Sequence, residues 1–232
     1  EPLFRSVGDE VCSDTFGPIQ TPSRYGNIHI VEFIDRASTF AFLFGIPSLD
    51  LVMSKYILVR NIFETQLKVK IKVFRSDGHR CYNNSEFKIV LAKDGTLHKI
   101  RSPYCLEQNA MAEHRVRTIV EMARMMMIHS CVPSYCWEDA VLHANHVRNR
   151  VATGALKGTT PFEVFWKGKP DLQWLKPFGC LVYVLIHKEI RDGKFNAVAT
   201  PGVLMGVSEV HSRYKVHMLH NGSIKIARDV RF

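Results

Sequence analysis

Val69-Lys70-Ile71-Lys72-Val73-Phe74-Arg75-Ser76-Asp77 is the stretch on which the fold turns. It alternates apolar with basic or polar residues, the two-residue period of a strand with one buried face, and it ends in an acid. Before it, Leu49 to Gln66 carries apolar residues at loosely helical spacing. Earlier still, Ile28 to Ile34 and Thr39 to Phe44 are β-branched and aromatic runs separated by Asp35-Arg36-Ala37-Ser38, a hairpin signal. A further strand is expected before Gly17-Pro18. Strands around a helix in this order predict an α/β sheet.

Downstream of Asp77 the periodicity changes. Ser85 to Lys93 reads as a short helix and Leu97 to Ile100 as a short strand. Asn109 to His129 reads as a long helix with Ala112, Val116, Ile119, Val120, Ala123 and Met127 along one stripe. Ser134 is placed to cap a helix running to about Arg150, and Thr160-Pro161-Phe162-Glu163 is a capping box with Pro in the first helical position. Lys167-Gly168-Lys169-Pro170 and Leu175-Lys176-Pro177 are linker-like, so one domain is expected over residues 1–170 and a second over 176–232. The second reads as four short strands, Cys180 to Ile186, Gly202 to Val207, Tyr214 to Leu219 and Ser223 to Arg228, with Asn221-Gly222 as a hairpin turn. That pattern predicts a small all-β barrel.

Composition narrows the partners. With 46% hydrophobic and 23% charged residues, the chain is neither disordered nor of low complexity. Its formal charge of +9 and pI near 9.3 point to a polyanion such as nucleic acid or an anionic membrane surface. The excess is shared about evenly between residues 1–170 and the much shorter remainder, so the tail is the more basic part. Six cysteines without a CxxC pair or a regular framework point to a reducing compartment rather than a disulfide scaffold. Neither apolar run, Phe40 to Ile46 or Leu181 to Ile186, approaches the length that spans a bilayer. Cys131, Cys136, His143 and His146 are too loosely spaced for a zinc site. The first residues lack the features of a signal peptide, and the missing initial Met suggests a fragment or a processed piece. An intracellular setting, nucleus and cytoplasm, is the expectation.

Three acids stand where a metal site is built. Asp14 lies between an apparent strand and Gly17-Pro18, Asp77 ends the quoted strand, and Glu113 lies in the first turns of the long helix, with 35 residues between the last two. Carboxylates are the hard ligands Mg²⁺ prefers, and two such ions serve phosphodiester chemistry. On spacing alone, capping and solvation remain the simpler reading.

Ordered blocks then carry a resemblance. Ser13-Asp14-Thr15-Phe16-Gly17-Pro18-Ile19, Val31-Glu32-Phe33-Ile34-Asp35, Lys72 to Asp77 and Ser102 to Glu113 resemble the integrase core of copia-type LTR retrotransposon Pol polyproteins. So do Arg117 to Arg124, the helix from Trp137 to Arg150, Thr160 to Glu163, Gly168 to Leu172, Phe178-Gly179-Cys180 and Ala227 to Phe232. This resemblance covers nearly the whole chain.

It implies a ribonuclease H-like α/β core with a mixed sheet and flanking helices, followed by a small SH3-like β-barrel. It also implies a triad at Asp14, Asp77 and Glu113, acting as catalytic groups and as ligands of two Mg²⁺ or Mn²⁺ ions. The implied activity is 3′-end processing and strand transfer, that is, DNA integration by a polynucleotidyl transferase. The implied partners are the element's ends and target DNA, further copies of the chain, and the remainder of the polyprotein. Arg117, Arg115, Lys72 and Arg75 are the expected DNA contacts; Arg117 shares the helical face of Glu113 by its i,i+4 spacing.

The chain departs from the family after the second acid, where Gly78-His79-Arg80-Cys81-Tyr82 replaces Asn-Gly-Gly-Glu-Phe, and at Ala110 and Val116. The zinc module that usually precedes the core is not in this sequence. These departures keep open an alternative, a degenerate or domesticated copy that binds nucleic acid without catalysis, and a third, a fragment acting only in assembly.

Overall fold

The computed structural model describes residues 6–100, 110–191, 193–208 and 213–232, with backbone only for 110–114 and 190. The chain divides into two compact units, residues 1–120 with 145–170, and residues 121–144 with 171–232.

In the first unit, β1 (Glu10–Phe16), β2 (His29–Asp35) and β3 (Ala41–Ile46) form an antiparallel meander. β4 (Val73–Ser76) and β5 (Leu97–Ile100) join it in parallel with β1, giving the order β3-β2-β1-β4-β5. β1 therefore sits at the centre. The helix α1 (Val52–Gln66) buries Val52, Tyr56, Val59 and Phe63, residues four, three and four apart, which is one face of a helix. That stripe packs with Phe87 and Leu91 of α2 (Ser85–Asp94) on Val11, Val31, Phe33 and Phe74, the odd-facing side chains of the central strands. α2 starts where the Asn84 side chain accepts the Phe87 N–H at 2.7 Å, and stops where Gly95 turns left-handed, φ 72°.

The helix α5 (Pro161–Trp166) has both capping-box bonds: Thr160 N–H donates to Glu163 Oε2 (2.9 Å), and Glu163 N–H to Thr160 Oγ1 (3.1 Å). Its Phe165 stacks on Phe40 at 4.5 Å. The opposite side of the sheet carries Glu10, Cys12, Asp14, Glu32 and Arg75, because strand side chains alternate. One face of the sheet is thus an aromatic core, and the other sets these polar residues among buried Ile30, Ile34, Ala41 and Leu43.

The second unit contains the later part of α3 (Ala110–His129), a 3-10 turn at Ser134–Cys136, the first part of α4 (Trp137–Arg148) and an antiparallel sheet. Its strands are β6 (Leu181–Leu185), β7 (Ala199–Val207), β8 (Tyr214–Met218), β9 (Ile224–Ala227) and β10 (Val230–Arg231), in the order β10-β6-β7-β8-β9. No ladder joins β9 to β10 among the described residues, so the strands form a sheet rather than a closed barrel. Val182, Val184, Leu204, Tyr214, Val216 and Met218 fill its core. Gly202 is required there, since a Cβ would meet the Val216 side chain and lie 2.9 Å from the His217 carbonyl oxygen.

Three local readings change. The strand expected over Val69–Ser76 is formed only by Val73–Ser76: Lys68 turns with φ 58°, and the Lys72 N–H goes to the Gly8 carbonyl (2.9 Å). The helix expected from a Ser134 cap begins as a 3-10 turn preceded by Pro133, with no side-chain cap. β10, two residues long, had no sequence signal. Among the described residues no helix is long and apolar enough to cross a membrane. The described cysteines, Cys12, Cys81, Cys131, Cys136 and Cys180, are free thiols.

Candidate metal and nucleic-acid site

The ladder between β1 and β4 is parallel and pairs Cys12 with Arg75. Two residues further along each chain are Asp14 and Asp77. Asp14 thus lies within β1 and Asp77 directly follows β4, each two residues past the last pair of the parallel ladder, whose strands lie about 4.8 Å apart. This is the end of a parallel pair at which open α/β sheets bind ligands. Asp14 Oδ1 accepts the Thr15 N–H (2.8 Å) and Asp77 Oδ1 the His79 N–H (3.1 Å).

The loop after Asp77 folds back onto β1, with the Tyr82 hydroxyl 2.8 Å from Ser13 Oγ. The two acids act on the same neighbour there. Burial pushes the Cys81 thiol up to about 12, helped by the negative charge of Asp77 and then of Asp14. Tyr82 is likewise raised, chiefly by burial. His79 Nδ1 lies 3.2 Å from the Cys81 sulfur and accepts the Cys81 N–H.

Glu113 is a residue of α3; its side chain, and the expected block from Ser102 to Asn109, lie outside the described residues. Among the described residues no three His, Cys, Asp or Glu side chains form a metal-binding group. Asp14 and Asp77 offer carboxylate oxygens, the hard donors that suit Mg²⁺ or Mn²⁺.

The four expected DNA contacts separate into two kinds. Arg117 is exposed, and so is Lys72, whose ammonium pairs with Asp9 at 2.7 Å. The other two are committed inside the first unit. Arg75 donates from Nε and Nη2 to the two oxygens of Glu10 (3.1 and 3.0 Å), a carboxylate that Arg36 also meets at 2.7 Å. Arg115, 8% exposed, donates from Nε to Glu32 Oε1 (3.0 Å) and from Nη2 to Asn145 Oδ1 (2.7 Å) and Asn149 Oδ1 (2.8 Å). A buried guanidinium with three acceptors is not presented to a phosphate. In this structure Arg115 and Arg75 are thus each held by a buried carboxylate, Glu32 and Glu10.

Glu32 and Glu10 were not singled out by sequence reading. Glu32 lies directly opposite Asp14 in the β1–β2 ladder and on the same face. Burial pushes its carboxyl up to about 7 against the pull of Arg115, and the charge of Asp14 adds to the rise. The available signal was an acid inside an otherwise apolar buried run, Ile30-Val31-Glu32-Phe33-Ile34, which demands a buried partner.

Comparison with known proteins gives the same architecture. Residues 180–232 match the family described as the retroviral polymerase SH3-like domain. The chain is 29% identical over 227 residues to the retrovirus-related Pol polyprotein from transposon TNT 1-94 of Nicotiana tabacum, covering 98% of this chain and 17% of that protein. It therefore spans under a fifth of that curated relative's length. A chain of the simian T-cell lymphotropic virus intasome, solved with the PP2A regulatory subunit B56 gamma, superposes with a TM-score of 0.55 at 12% identity, covering 96% of this chain and 76% of that one. The catalytic core domain of BIV integrase superposes with a TM-score of 0.50 at 16% identity, covering 69% of this chain and 95% of that one. The relatives of this chain are thus retrovirus-related Pol polyproteins of plant transposons, and its fold is the ribonuclease H-like fold of integrase catalytic cores followed by an SH3-like region.

Proposed function

We propose that this chain is the integrase region of a copia-type retrotransposon polyprotein and that it cuts and joins DNA: hydrolysis near the ends of the element, then attack of the freed 3′-hydroxyl on a target phosphodiester. The observation that carries the reading is that Asp14 and Asp77 each lie two residues past the last pair of the parallel β1–β4 ladder, in a fold like that of integrase cores. Asp14 and Asp77, with Glu113 from α3, would hold two Mg²⁺ or Mn²⁺ ions. Bound there, the ions would activate the attacking oxygen and stabilise the leaving one.

The protein's own contribution is rigid placement. The Arg75–Glu10 pair ties β1 to β4 just before the two acids, and the Tyr82–Ser13 bond holds the loop after Asp77 against β1. Exposed Arg117, one helical turn beyond Glu113, binds a DNA phosphate, and Lys72 adds a second cation. Residues 1–170 act as the core and residues 176–232 as a basic module for DNA or partner contacts. The expected partners are element ends, target DNA, further copies of the chain and the rest of the polyprotein, in cytoplasm and nucleus.

The test is a strand-transfer assay with Mn²⁺ and an oligonucleotide carrying an element end. Product formed by the wild-type chain and lost in Asp14→Asn and Asp77→Asn supports the reading. The loop Gly78-His79-Arg80-Cys81-Tyr82, which carries no second acid, is the motive for one alternative: a copy that binds nucleic acid without catalysis. Steeply salt-dependent DNA binding with no product at any metal concentration would establish that alternative and overturn the first.

A further inference from the structure

Glu32 and Arg115 form an ion pair inside the first unit, and its position along the chain is informative. Glu32 is the ladder partner of Asp14, and Arg115 lies two residues after Glu113 on α3. The same guanidinium reaches Asn145 and Asn149, and both of those amides donate to the Ala41 carbonyl at 2.9 Å. Asn149 Oδ1 also accepts the Ala41 N–H at 3.1 Å. One side chain therefore links α3 to β2 directly and to β3 through the end of α4.

Such a pair is a poor source of stability. Glu32 is 1% and Arg115 8% exposed, and desolvating two charges offsets most of their attraction, so packed apolar residues of similar volume hold a fold as well or better. Glu32 Oε2 also has no hydrogen-bond partner among the described residues. What a guanidinium adds over an apolar contact is direction: its planar fork meets its acceptors in one orientation and fixes both the rotation and the height of the helix that carries it.

We infer that Glu32 and Arg115 are positioning residues of the carboxylate site, setting the first turns of α3 so that the helix bearing Glu113 stands in register with Asp14. The inference rests on the proposed metal-dependent function, and the experiment separates the two.

Mn²⁺ affinity of the whole chain is measured by titration calorimetry, with folding followed by circular dichroism, for wild type and for the double variant Glu32→Leu/Arg115→Met. Removing both charges leaves the net charge beside Asp14 unchanged, so a change in affinity reports geometry. The expected result is a folded double variant, at least as heat-stable as wild type, that binds Mn²⁺ about 10- to 100-fold more weakly, the range seen when partners that orient ligands are lost. In a Glu113→Gln background the same double substitution should change the affinity less than threefold, because the effect runs through Glu113.

A folded double variant with wild-type Mn²⁺ affinity overturns the inference and leaves the pair a packing role. An equal loss in both backgrounds overturns it as well. Wild-type protein whose Mn²⁺ binding is indifferent to Asp77→Asn overturns the metal-site reading itself, and the inference with it. If the double variant does not fold, Asn145→Ala, which removes one of the two acceptors of Arg115 Nη2 without altering charge, is read by the same outcomes.

Discussion

Replacing Arg75 by Met tests the structural reading of the polar sheet face. Glu10 is 0% exposed; its Oε1 accepts from Arg36 and Arg75 and its Oε2 from Arg75. The two arginine side chains differ in burial, 12% exposed for Arg75 and 39% for Arg36. Arg75→Met therefore strips Oε2 of its donor and leaves a buried carboxylate facing one partly hydrated cation. Breaking a buried pair this way costs about 3–5 kcal/mol, and the surviving Arg36 puts the expectation near the lower end, about 3 kcal/mol.

The assay is hydrogen exchange of the β1 and β4 amides, which should speed up by about two orders of magnitude, since each 1.4 kcal/mol is tenfold. Adding Glu10→Gln should recover part of the loss by removing the stranded charge. The pH dependence follows the same pair. Burial pushes the Glu10 carboxyl up, but the hydrogen bonds and charges of Arg75 and Arg36 outweigh it and the net direction is down. A carboxyl lowered in the folded state stabilises above its unfolded value of about 4.5, and that stability is lost as pH falls through the folded value. Wild type should thus lose more stability in acid than Glu10→Gln. Unchanged exchange in Arg75→Met, together with weaker DNA binding of reduced salt dependence, would refute this and return Arg75 to the DNA surface.

Other consequences are equally measurable. Burial lowers the His143 imidazole to about 4, so its neutral form is the one folded: that stability is complete above the unfolded value of about 6.5, and about 3 kcal/mol is lost as pH falls towards 4. The difference in stability between wild type and His143→Gln should therefore slope with pH across that window and be flat above it. Thr160→Ala removes the capping box of α5 and should cost about 1 kcal/mol by urea titration. Arg117→Ala should lower the slope of log affinity for DNA against log salt by about 1, whereas Arg115→Met should leave that slope alone while destabilising the fold.

Local signals carried most of the fold. The α1 stripe, the Thr160 box and the Asn221-Gly222 turn each lie within a few residues, and each is present in the structure. The readings that changed depend on distant chain. Residues 69–72 look like strand, yet the Val69 N–H goes to the Phe63 carbonyl and the Lys72 N–H to that of Gly8. β10 is too short to have a pattern and exists only because β6 pairs with it. Asp14 and Asp77 were legible as acids near strand ends; that each lies two residues past a parallel pair, Cys12 with Arg75, depends on pairing across some sixty residues, which leaves no local trace. Arg75 and Arg115 were assigned to DNA for the same reason. A cation in sequence does not reveal that its acceptor, Glu10 or Glu32, lies on another strand.

The central claim is that Asp14 and Asp77 form one metal site for phosphodiester chemistry. Anomalous diffraction from crystals of the chain soaked in Mn²⁺ tests it most directly. The account predicts a peak within about 2.0–2.6 Å of oxygens from both aspartates, the range for Mg²⁺-like to Ca²⁺-like coordination, and no such peak in Asp77→Asn. Mn²⁺ bound only elsewhere, or the same peak surviving in Asp77→Asn, would contradict it.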